Sequence, residues 1–190
     1  MIGKVINRRE LEARWSYAEI TGRFVEEYRK RHADPASVAL QGKIANGAAF
    51  AALTIADRHM LADWFETGLR SDFANSMRQW YDTFECQSWS KERLMRLKVI
   101  PRLDARKVPL LSFLTSPRPL EDSDPRVAAD KVPLNVAYLQ KEPLISAHWD
   151  DGVEVLWEGY FRAALFARSE DPDAEILVWV PCKGNWPPQK

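Results

Sequence analysis

Cysteine is nearly absent: the 190-residue chain has two, Cys86 and Cys182. They lie far apart and in no paired-ligand spacing, which excludes a disulfide framework and reads as free thiols in a reducing cytoplasm. Histidine is scarce too, with three, and His32 and His59 have no neighbours at metal-ligand spacing, so a zinc site is not expected. Net charge is absent too, with 27 Lys and Arg against 27 Asp and Glu. The whole molecule therefore carries no field that would gather nucleic acid or membrane. No run approaches the ~18 apolar residues needed to cross a bilayer, and the charged segment 1–12 lacks a signal-peptide core. A cytoplasmic protein without membrane insertion is expected. Internal repeats and low-complexity tracts are missing as well.

What is present is enough apolar residue, 46%, for one sizeable core or two small subdomains. Eight tryptophans stand out, and such rings either fill cores or serve as stacking platforms. Charge is unevenly spread. Within 91–107 seven basic residues (Lys91, Arg93, Arg96, Lys98, Arg102, Arg106, Lys107) face two acidic ones, whereas 121–175 is rich in carboxylates. Such a stripe can hold a phosphate backbone, or it can be one solvated face among others.

The first half reads as helical. Within 10–31 apolar residues recur at helical spacing, Asp34-Pro35 ends one helix and starts the next, and a second pattern runs from Ala48 through Phe50, Leu53, Ala56, Met60 and Trp64 to Gly68. Ser71 or Asp72 can cap a third helix burying Phe73, Met77, Trp80 and Phe84, and Ser90 starts a short basic helix that Pro101 stops. Beyond Pro101 prolines punctuate short extended runs at 108–114, 144–145, 153–157 and 176–180, and 115–130 reads as a long acidic loop. The expectation is an α+β protein with a helical region over 1–100 and a small mixed sheet over 101–190.

Chemistry concentrates in 141–181. Asp150-Asp151-Gly152 signals a turn between two extended runs, and 160–168 has the composition of a short helix. Gly159 then sits where a strand passes into a helix, so the backbone can approach an anion closely. The helix N-terminus favours that anion, and Arg162 in the first turn can add a guanidinium. The alternative is a tight turn beside a surface arginine. Glu158 can position Mg²⁺ or a water, or complement the helix dipole. Asp150 can add a metal ligand or simply make the turn, and His148 can act as acid or base or be structural. Tyr160 and Phe161 can stack on a base or pack beneath the helix. Gly42-Lys43 with Gly47 is no phosphate loop, because Ala48-Ala49 stand where a lysine and a hydroxyl are required.

The order strand, hairpin, strand, Gly-x-x-Arg, helix, strand resembles the ParB/sulfiredoxin fold, and Gly159-Tyr160-Phe161-Arg162-Ala163-Ala164 is similar to its signature. Upstream, Val108-Pro109-Leu110-Leu111-Ser112-Phe113-Leu114 and Pro117-Arg118-Pro119 resemble the first strand and its proline-rich exit. Together with its length and helical front half, the chain looks like the Osa-type fertility-inhibition proteins of conjugative plasmids. Tyr160 stands where sulfiredoxins carry their reactive cysteine, so sulfinic acid repair is not expected. Phe161 replaces the second basic residue of ParB proteins, and with Lys190 closing the sequence no helix-turn-helix is expected to follow.

The resemblance implies a metal-dependent deoxyribonuclease and ATPase that blocks conjugative or type IV secretion transfer of DNA. It implies Glu158 and Arg162 as catalytic residues, ATP held by Gly159, Tyr160, Phe161 and Arg162, and Mg²⁺ held by Glu158 and Asp150. DNA would be held by its backbone at Arg93, Arg96, Lys98, Arg102, Arg106 and Lys107. The implied partners are DNA, the relaxase–DNA complex and the coupling protein of a type IV secretion system. The competing reading is a non-catalytic inhibitor that docks on a secretion component or the transferred nucleoprotein through its tryptophan-rich half.

Overall fold

The computed structural model describes residues 1–22, 24–68, 81–99, 108–115, 125–131, 142–148 and 153–182. The chain forms two compact units, one of Ile6–Phe84 and one of Met1–Val5 with Glu85–Lys190. The division thus precedes the change of texture at Pro101. The reason is that residues expected to be helical up to 100 include a strand, Thr83–Ser90.

The unit Ile6–Phe84 is built of helices whose starts are chemically marked. The Asn7 side chain accepts from the Glu10 N–H (2.8 Å) to open α1 (Arg8–Ile20), and the Asp34 carboxylate accepts from the Ser37 N–H (3.1 Å) to open α3 (Pro35–Ala45). Pro35 loses nothing there, since a first-turn N–H has no helical partner. At α4 (Ile55–Thr67) Thr54 and Asp57 exchange hydrogen bonds, each 3.1 Å, in a capping box. The apolar face expected to run unbroken over 10–31 is interrupted. The Thr21 hydroxyl turns back onto the Tyr17 carbonyl (2.9 Å), Gly22 follows, and α2 (Val25–Arg31) is separate. Helix α1 packs on α4 over a core that includes Tyr17, Tyr28, Leu40, Leu61 and Trp64. The third helix expected after Ser71 falls on residues 69–80, outside the described ones, and Phe84 lies in a strand.

The described strands form one seven-stranded sheet, in the order β1-β2-β7-β5-β6-β3-β4. They are β1 (Val5–Asn7), β2 (Thr83–Ser90), β3 (Lys98–Val99), β4 (Val108–Pro109), β5 (Leu144–His148), β6 (Glu154–Glu158) and β7 (Glu175–Pro181). Strand β5 runs antiparallel to β6 and parallel to β7, and β3 runs parallel to β6. The architecture is therefore mixed α and β. Ser90 caps α5 (Lys91–Met95) as the sequence suggests.

Two expectations are corrected. The extended run 108–114 is a strand only at β4 and then the helix α6 (Leu110–Thr115). Pro109 has no N–H with which to continue a ladder, and the Leu110 N–H donates instead to the Leu97 carbonyl (2.7 Å). The acidic loop 115–130 contains the helix α7 (Pro125–Lys131), in which proline stands at a first helical position. Helix α8 (Tyr160–Ala167) buries Ala163, Ala164, Leu165 and Phe166 in a core shared with Trp89, Leu94, Leu144, Leu156 and Val178. The five described tryptophans are all buried, at 0–7% exposure, so they fill cores and offer no stacking platform. Among the described residues no helix is long and apolar enough to cross a membrane.

Candidate anion-binding site

The hairpin β5–β6 delivers the chain to Gly159. Ser146, Ala147 and His148 pair with Leu156, Val155 and Glu154, and a shift between Ile145 and Ser146 brings Ile145 opposite Glu158. An irregularity of this kind bends a strand locally and re-aims its last side chains. Gly159 follows at φ +104°, ψ 23°, in the left-handed region that side chains avoid. A Cβ at this position would lie 2.2 Å from Leu144 Cδ2 and 3.4 Å from Arg162 Nη2. Glycine is thus required twice, for its backbone angle and for the space.

From Gly159 the helix α8 begins at once, and Arg162 lies in its first turn. Its guanidinium folds back to Glu158: Nη2 donates to Glu158 Oε2 at 2.6 Å. The Arg162 side chain is 12% exposed and the Glu158 side chain 29%. Nη1 of Arg162 is buried and has no hydrogen-bond partner among the described residues. A half-used guanidinium at a helix N-terminus is suited to an oxyanion, because its two terminal nitrogens match two oxygens of a carboxylate or phosphate.

The residues expected to bind nucleotide are together here. Gly159, Tyr160, Phe161 and Arg162 are consecutive, and Glu158, expected to be catalytic, directly precedes them. Tyr160 and Phe161 are both half-buried and both pack against the core, so neither stands clear as a stacking ring. Of the metal pair Glu158 and Asp150, only Glu158 belongs to the described residues. Asp150 lies outside them, Glu158 is engaged by Arg162, and among them no three His, Cys, Asp or Glu side chains gather.

The basic stripe is also less uniform than its composition. Arg102, Arg106 and Lys107 lie outside the described residues. Arg93 lies over the Trp89 ring (4.0 Å to its centre) and donates to Gln87 Oε1 (3.3 Å), Arg96 pairs with Glu92, and Lys98 is half-buried in β3. Lys91 donates to the Ser169 carbonyl (2.9 Å). Arg93 and Arg96 remain exposed while making these contacts.

One group the sequence did not single out is Glu154, partly buried and facing His148 across the hairpin. Burial raises its pKa, against the nearby Arg93 charge, which lowers it. Its only signal in the sequence is the alternation Glu154, Leu156, Glu158 along one strand face. No family model, curated protein or solved structure matches the chain.

Proposed function

We propose that the Gly159–Arg162 turn binds the phosphate of a nucleotide, and that the chain is an ATPase and deoxyribonuclease that stops DNA from leaving through a type IV secretion system. The observation that carries the phosphate reading is Arg162 Nη1, a buried donor with no partner among the described residues. Leaving such a donor unmade costs about 1–3 kcal/mol, which a ligand oxygen would recover. Gly159 adds close backbone approach and α8 adds its dipole. In the hydrolysis we envisage, Arg162 neutralises phosphate charge while Glu158 accepts the proton of an attacking water. The new P–O bond forms to that water as the bond to the leaving oxygen breaks, releasing ADP from ATP. ATP and DNA as substrates, and secretion as the target, come from the resemblance to fertility-inhibition proteins.

The Glu158–Arg162 ion pair favours a second reading. An arginine already neutralised can be purely structural, and the chain would then be a non-catalytic inhibitor docking on a secretion or coupling component. Incubating purified protein with ATP, Mg²⁺ and supercoiled plasmid separates the two. Phosphate release and nicking are expected from the unaltered chain, and both should vanish in Arg162→Ala with an unchanged circular dichroism spectrum. Turnover undiminished in folded Arg162→Ala sinks the enzyme reading, and no turnover by the unaltered chain favours the inhibitor.

A further inference from the structure

Glu158 holds the arginine that a phosphate would need. The contact is made by one nitrogen, Nη2, to one oxygen, Oε2, at 2.6 Å, while Nη1 stays buried and unpartnered among the described residues. A carboxylate free to choose its geometry would take both nitrogens in a fork. Here it cannot, for two reasons rooted in the chain. Glu158 closes β6 and is fixed by its register opposite Ile145, and Arg162 is only four residues further on. The guanidinium reaches back across Gly159, where an added Cβ would come within 3.4 Å of Nη2.

We propose that Glu158 is an internal competitor for the phosphate site: in the ligand-free chain its carboxylate stands in for the phosphate on Arg162, and a phosphate binds only by displacing it. This rests on reading the turn as a phosphate site. The two charges compete for the arginine, since a phosphate and a carboxylate brought to the same guanidinium repel each other. Glu158 is the more exposed of the pair, 29% against 12%, so it is the side chain that swings out while Arg162 stays packed. Displacement also has a catalytic consequence. A carboxylate held on arginine has its oxygen occupied, and the phosphate that displaces it makes that oxygen available to a water. Binding and activation are then one event, and the empty chain is idle.

The test is calorimetric titration of ATP, and separately of inorganic phosphate, into the full chain and into Glu158→Gln, Glu158→Ala and Arg162→Ala, each checked for fold by circular dichroism. Both Glu158 variants should bind roughly tenfold more tightly than the unaltered chain, the scale of one charge-assisted contact, while losing turnover. Binding by the unaltered chain that is lost in Arg162→Ala but not tightened in either folded Glu158 variant overturns the competitor and leaves the phosphate site standing. Equal binding in all four proteins, or none in any, overturns the site itself.

Discussion

Replacing Gly159 by alanine tests the geometry on which the site depends. The backbone at φ +104° is left-handed, and an L side chain there costs about 1–2 kcal/mol. The new Cβ would also meet Leu144 Cδ2 at 2.2 Å, and Leu144 is fully buried. Moving a packed leucine out of its rotamer adds about 1–3 kcal/mol. Gly159→Ala should therefore lose about 2–5 kcal/mol from a total that for most proteins is about 5–15. In urea, with a slope near 2 kcal/mol/M, the midpoint read by fluorescence should fall by roughly 1–2.5 M with the slope unchanged. Gly47→Ala is the control. It shares a positive φ, +87°, but has nothing within 4 Å of the added carbon, so it carries the backbone cost alone. A Gly159→Ala loss no larger than that of Gly47→Ala would refute the packing argument.

Two further outcomes are expected in the helical unit. His32 stacks on Trp64 (4.6 Å between ring centres, 17°), and its Nε2 is buried without a hydrogen-bond partner among the described residues. Burial lowers its pKa, with Arg31 adding to the shift and Asp34 opposing it. A folded pKa below the unfolded one gives stability that is present above about pH 6.5 and lost as pH falls. His32→Phe keeps the stack, so its melting temperature should drop less between pH 7.5 and pH 5 than that of the unaltered chain, and equal drops would contradict this. Thr54→Ala removes the capping-box hydroxyl that accepts from the Asp57 N–H, and should cost about 1 kcal/mol by urea titration. A loss below about 0.3 kcal/mol would mean that the cap is replaced by water.

Local chemistry made much of the fold legible. Asp34-Pro35, Gly68 and Ser90 mark helix ends because caps and prolines act within a few residues, and the paired strands, glycine turn, helix and last strand stand where the sequence suggests, while the Asp150-Asp151-Gly152 turn lies outside the described residues. Strand β2 was not legible because Phe84 completes a helical spacing with Phe73, Met77 and Trp80 while also alternating with Cys86. Only its place beside β7, far along the chain, decides between the two periods. Helices α6 and α7 follow prolines in runs that look extended or loop-like, and it is burial of Leu110 and Ala129 in the shared core that favours them. At the site, the spacing of Gly159 and Arg162 was readable. The partner that Arg162 takes was not, since Glu158 reaches it only through the left-handed turn and the shifted register of β6.

The most direct test of the central claim is ATP titration into the unaltered chain and into folded Arg162→Ala, followed by calorimetry. Saturable binding that disappears with Arg162 is the predicted result. Binding of equal strength in both proteins would contradict it, and would place the nucleotide away from the Gly159 turn.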